Sequence, residues 1–356
     1  MRILKQPDSF CFTSSLGDIV ISPDSSDPIT FSIKMGDTIV LPTEKYYRNT
    51  DGVVYITGIG DVLSNWLRSD GPIAYLLKQQ INVADFTFIY NGNQNGSQET
   101  KHTVMRCDVD FDTTAGTFCN THFLTLMFST KKTTFGRREI LAFYAKESLS
   151  TTATVNVAYL VDGKITSGSF ERAAIGSGTV KYLDVSPDIF KAAGKQLLYY
   201  MVTLGERSMK YEIDYTPFLQ ETHFVYRNCF GVEDTFTCLG EATSEGKFER
   251  YYATFGGGYK NFKRKNLREY TVNTGLLTQA AAYAIDDMFS SEEIWLYDQL
   301  GPIKEIVILD QSVKRSSLPD EMPRYEFSYR LTQSNQRYKT ATSGRIFDAT
   351  FDRSFN

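Results

Sequence analysis

Short apolar runs separated by turn residues dominate the chain, and over the first 115 residues they read as strands at 10–13, 18–21, 29–34, 38–41 and 53–57. The turn-rich stretches SPDSSDP and NTDG punctuate them. One segment breaks this period. In DVLSNWLRSDGPIAYLLKQQ, Val62, Leu63, Trp66 and Leu67 recur at helical spacing until Gly71-Pro72, which predicts one short helix. FTFIY and TVMRCDVDF then bracket NGNQNGSQETK, whose Asn-Gly pairs favour a turn, so a hairpin with a long exposed tip is expected.

Residues 117–217 carry seven evenly spaced apolar runs: HFLTLMF, EILAFYA, TATVNVAYLV, ITSGSFE, TVKYLDV, QLLYYMVTL and MKYEIDY. Seven short strands in about a hundred residues, with no convincing helix, is the pattern of a β-sandwich, although the Cys and Trp hallmarks of an immunoglobulin domain are absent. From Glu221 the character changes. FVYRNCF, TFTCLGE, FERYYATF and REYTVNT read as strands, and GLLTQAAAYAIDDMFSS reads as a helix with Leu276, Leu277, Ala280, Ala284 and Met288 near one face. EIWLY, IKEIVIL and RYEFSYRL add further strands.

The expected fold is therefore mainly β and multi-domain, with β-sandwich modules plus a sheet-with-one-helix domain. It divides into an N-terminal β domain with one short helix (1–115), a β-sandwich (116–220), a sheet-plus-helix domain (221–330) and a C-terminal arm (331–356). A length of 356 residues suits about three domains, and the 14% aromatic content, mostly Phe and Tyr, suits pleated surfaces.

Charge excludes little. A net charge of −4 exerts no global pull on nucleic acid or anionic lipid, so any such contact must be local. No apolar run reaches the ~18 residues of a membrane span, and MRILKQPDSF lacks the core of a signal peptide, so a protein made in a cytoplasm and without membrane contact is expected. Cys11, Cys107, Cys119, Cys229 and Cys238 form no CxxC, and free buried thiols are expected; the alternative is that Cys229 and Cys238, which flank a turn-like stretch, face each other across a hairpin.

Catalytic and metal signatures fail on inspection. Only His102, His122 and His223 are present, which limits acid-base chemistry. Cys107, Cys119 and His122 lack a second half at zinc-finger spacing. Asp108, Asp110 and Asp112 open like a calcium loop but meet Thr113 where glycine is needed and Cys119 where a bidentate Glu is needed; alternation on a strand accounts for them better. GEATSEGKF has one residue too many for a phosphate loop, and Gly176-Ser177-Gly178 makes no nucleophile elbow. The expectation is no enzyme and no cofactor.

Two features stand out. YKNFKRKNLREY interleaves Lys260, Lys263, Arg264, Lys265 and Arg268 with Tyr259, Phe262 and Tyr270 behind Gly256-Gly257-Gly258. This is a loop suited either to solvent, to an acidic partner or to phosphates. RIFDATFDRSFN sets Phe347, Phe351 and Phe355 four apart, beside Arg345, Asp348 and Asp352. Such an end either returns to its own domain or docks on a neighbouring subunit, and a subunit interface is the preferred reading.

The succession YRNCFGVEDTFTCLGE, REYTVNTGLL, DDMFSSEEIWL, IKEIVILDQSVKRSSLPDEMPRYEFSYRLTQSNQR and FDATFDRSFN resembles structural proteins of phage and prophage tail regions of Bacteroidetes, over roughly the last 130 residues. The strand, helix, strand order is also similar to ring-forming domains of tail-tube and distal tail proteins. The resemblance implies a virion tail scaffold (tube, distal ring or baseplate) that forms a homo-oligomeric ring and contacts other tail proteins, with nucleic acid met only as DNA passing through a channel. A cell-surface adhesin or carbohydrate-binding sandwich is the alternative.

Overall fold

The computed structural model describes residues 1–67, 82–92, 96–128, 130–145, 151–176, 178–217, 221–298, 301–309 and 322–332. It is mainly β, with several sheets and three α-helices among the described residues.

The N-terminal region holds β1 (Arg2–Lys5), β2 (Phe10–Phe12), β3 (Ile19–Ser22), β4 (Ile29–Met35), β5 (Thr38–Tyr46), β6 (Val54–Ile56), α1 (Ile59–Trp66), β7 (Val83–Gly92) and β8 (Gly96–Met105). A five-stranded sheet, β2-β8-β7-β4-β5, faces a three-stranded one, β1-β3-β6, across Phe31, Phe86, Phe88, Ile19, Ile56 and Leu63. Alternation explains the burial, because Phe86, Phe88 and Tyr90 share the face that period 2 turns inward. The expected long hairpin tip is shorter than the sequence implied. The ladder runs on to Gly92↔Gly96, so Gln98, Thr100 and Lys101 lie on strand, leaving 93–95 outside the described residues.

The middle region comprises α2 (Ala115–Thr121), β9 (Lys131–Thr133), β10 (Ile140–Tyr144), β11 (Thr152–Val161), β12 (Lys164–Ala173), β13 (Val180–Asp184), β14 (Gln196–Leu204) and β15 (Arg207–Ile213). A five-stranded sheet, β12-β11-β14-β15-β9, packs on the β10-β13 pair. Phe143, Leu141, Leu183 and Val185 there meet Val155, Val157, Tyr200 and Val202.

Two expectations fail here. HFLTLMF is not a strand: Thr114 accepts the N–H of Thr117 and starts α2, and beyond it Phe123 and Leu124 enter two different cores. Consecutive residues buried in separate cores forfeit the regular alternation a strand needs. The stretch holding Asp108, Asp110 and Asp112 is not a strand either. It is irregular, with Asp108 N–H donating to the Cys229 carbonyl at 3.1 Å.

The third region contains β16 (Thr222–Arg227), β17 (Glu233–Cys238), β18 (Ala242–Phe255), β19 (Gly258–Asn273), α3 (Gln279–Ser290), β20 (Ile294–Asp298), β21 (Gly301–Ile308) and β22 (Glu326–Leu331). They form one sheet in the order β17-β16-β20-β21-β22-β19-β18. Its edge strands β17 and β18 are joined only by residues 239–241. That link spans at most about 14 Å, whereas the edges of a flat seven-stranded sheet stand roughly 29 Å apart. The sheet therefore curls back on itself. Gly240 makes the closure possible, because a Cβ there would lie 2.7 Å from the Asn273 Cβ.

Helix α3 starts at Thr278, whose hydroxyl accepts the Ala281 N–H at 3.2 Å. Ala282, Ile285 and Met288 enter the core of the curled sheet, while Ala284 joins the core of the sandwich. Leu276, expected on the apolar face, precedes the helix and is exposed. Cys238 lies in the same core as Met288 and Cys229 in another, so the two thiols do not face each other; all five cysteines are free and buried.

Candidate functional site

Two hairpins of the curled sheet carry the features from which function can be argued. The first is β16–β17. Its turn is built by Asn228, whose side-chain oxygen accepts the N–H groups of Phe230 at 3.0 Å and Val232 at 3.2 Å, with Gly231 in the left-handed region at φ 68°. This turn is buried among all three regions. Asn82 donates to the Gly231 carbonyl at 3.0 Å, Asn228 donates to the Leu124 carbonyl at 2.8 Å, and Asp287 of α3 accepts the Cys229 N–H at 2.8 Å. Phe230 is fully buried and packs against Phe12, Phe111 and Phe118 at ring-centroid distances of 5.9, 5.8 and 5.3 Å.

Charges are buried beside it. Lys131 Nζ lies 2.8 Å from Glu139 Oε2 and 3.7 Å from Asp234 Oδ1, and it also donates to the Thr235 carbonyl at 2.8 Å. Burial works to lower its pKa, but the two carboxylates outweigh this and raise it. Glu233 is pushed up to about 7 by burial, against the opposing charges of Arg138 and Arg227. Asp287 is pushed up to about 8 by burial and the nearby Asp234 charge. Burial, with Lys131 and Arg137 nearby, lowers His223 to about 3, so it is neutral at physiological pH. Arg227 and Glu293 pair at 2.6 Å on the rim.

The histidines are dispersed. His102 sits between Thr100 and the Asp8 carbonyl, His122 stacks on Phe118, and His223 bonds Thr237. Among the described residues no group of three or more His, Cys, Asp or Glu side chains stands close enough to hold a metal ion. Cys119 has its thiol pushed up to about 12 by burial, which leaves it a poor nucleophile.

The second hairpin is β18–β19. Gly256 and Gly257 form its two-residue turn with φ of 57° and 83°, the backbone that lets strands pair tightly. The basic segment read as a loop is thus strand: Lys260, Lys263, Arg264, Lys265 and Arg268 all lie on β19, in register with β18. Among the described residues only 269–273 of β19 also pair with β22, so the ladder from Gly246↔Arg268 to Phe255↔Gly258 has no third strand there. This arm is roughly 30 Å long at about 3.4 Å per residue. It exposes Phe248, Tyr252 and Tyr259 by 56%, 64% and 79%. Sequence reasoning missed the arm because it took the glycine run for a flexible loop; the legible signal was two strand-like runs meeting at Gly-Gly.

No family model matches the chain, and no curated protein matches it. The other predicted interface residues, Arg345, Phe347, Asp348, Phe351, Asp352 and Phe355, lie outside the described residues.

Proposed function

We propose that the chain is a non-enzymatic structural subunit of a phage virion tail, one that self-associates into a ring and connects neighbouring tail proteins, with the β18–β19 arm as connector. The observation that carries this reading is the arm itself. A two-stranded ribbon is only marginally stable alone in water, and this one leaves four large aromatic side chains, Phe248, Tyr251, Tyr252 and Tyr259, exposed beyond the edge of its sheet. A receiving surface on a neighbour removes both costs. A head-to-tail arrangement that closes into a ring gives every arm a receiver. The buried turn at 228–232 supports the same reading from the other side, because a body whose regions are locked through one hairpin transmits the arm's position rigidly.

Light scattering after size exclusion, with negative-stain imaging, tests this. The full chain is expected to form ring-sized oligomers as concentration rises, and a variant with 246–268 replaced by a short turn is expected to stay a folded monomer. A full chain that remains monomeric across the concentration range overturns the reading.

A further inference from the structure

The two faces of the arm differ in chemistry, and the ladder assigns residues to each. Opposed residues share a face in an antiparallel pair. Phe248, Arg250 and Tyr252 alternate along β18, opposite Asn266, Arg264 and Asn261, and Tyr259 stands opposite Thr254. No carboxylate occupies this face from Gly246 to the turn. Tyr252 and Tyr259 meet edge to face at 5.6 Å, as neighbours on one face should. The reverse face is mixed. It carries Lys247, Lys260, Lys263 and Lys265 and one exposed aromatic side chain, Tyr251. Lys247 pairs with Glu269 at 2.8 Å and Tyr251 donates to Glu249 at 3.1 Å, so its charge is partly offset by carboxylates, which the first face lacks.

The charge of the whole molecule completes the picture. Residues 242–273 carry seven basic and three acidic side chains, a net of +4 in a chain of −4, which leaves −8 on everything else. An arm and a body of opposite sign, joined in one chain, attract across copies. Arginine beside tyrosine is also the composition of energetically dominant interface positions, since both bury a rigid planar group while keeping a polar tip.

Resting on the assembly reading above, we infer that the arginine-aromatic face of the arm, centred on Arg250, Tyr252 and Tyr259, is the docking face, and that its occupant is the acidic body of a second copy of this chain. The lysine-rich reverse face looks outward to solvent.

Charge reversal on each face separates the two. Arg250→Glu and Lys260→Glu make the same charge change at exposed positions, Lys260 standing opposite Ala253 on the reverse face. Circular dichroism and thermal melting check that both variants fold. Self-association measured by sedimentation equilibrium is expected to weaken about tenfold or more for Arg250→Glu and no more than about threefold for Lys260→Glu. Wild-type association is expected to fall as salt rises from about 0.05 to 0.3 M. Equal effects of the two variants, or none, while deletion of 246–268 still abolishes association, overturns the face assignment and leaves the assembly reading standing. Monomers throughout overturn both. A single-stranded oligonucleotide that binds wild type but not Arg250→Glu in a fluorescence anisotropy titration, with no arm-dependent self-association, overturns the second copy as occupant.

Discussion

Two hairpins follow one another in the chain and belong to the same sheet, yet β16–β17 is buried almost throughout and β18–β19 is exposed over most of its length. Both are antiparallel, and both turn at glycine in the left-handed region. Strand propensity therefore does not separate them. The difference lies in how each turn disposes of its backbone polar groups. The 228–232 turn supplies its own acceptor in Asn228 and finds partners in Asn82, Asp108 and Asp287, so it is buried without leaving those groups unpaired. The Gly256-Gly257 turn has nothing within 4 Å of where its Cβ atoms would stand. It depends on water, or on another molecule.

Three measurements break or sharpen this contrast. The largest effect is expected at Phe230. Replacing it with Ala removes a ring packed on three others and is expected to cost about 3–5 kcal/mol in denaturant unfolding. A loss under about 1 kcal/mol would show that the turn does not hold the regions together.

Next comes pH. Asp287 and Glu233 hold their protons more tightly folded, with pKa values of about 8 and 7, than unfolded, near 3.9 and 4.3. The stability they contribute is thus complete below about pH 4 and is lost as pH rises through 7 and 8. Unfolding free energy is expected to drop by as much as about 5 kcal/mol between pH 5.5 and 8.5, about 1.4 kcal/mol per pH unit for each group that keeps its proton only when folded. Asp287→Asn, which keeps an acceptor for Cys229 N–H, should flatten that slope. A slope unchanged in the variant would place the titration elsewhere.

The smallest effect is expected on the arm. Tyr252→Ala should change the stability of the isolated protomer by less than about 0.5 kcal/mol, because the ring is mostly exposed. A loss comparable to that at Phe230 would mean that the arm folds back on its own body.

Much of this architecture was legible from local pattern alone. Period-2 alternation located most strands, since every second side chain must face a core, and apolar spacing within GLLTQAAAYAIDDMFSS announced α3, though not its start at Thr278. The basic and aromatic content of the arm was equally visible, though its strand conformation was not, because Gly-Gly serves a tight hairpin turn as well as a loose loop. Tertiary structure decided the rest. Phe123 and Leu124 give up a strand because two cores compete for adjacent side chains. Asp234 lies about a hundred residues from Lys131 and Glu139 and meets them only when β17 converges on β9 and β10. Gly240 is required by the closeness of Asn273, a contact that exists only once the sheet has curled. Periodicity is a property of neighbours along the chain, whereas partnership between distant residues is set by how the layers close, and no local pattern encodes that.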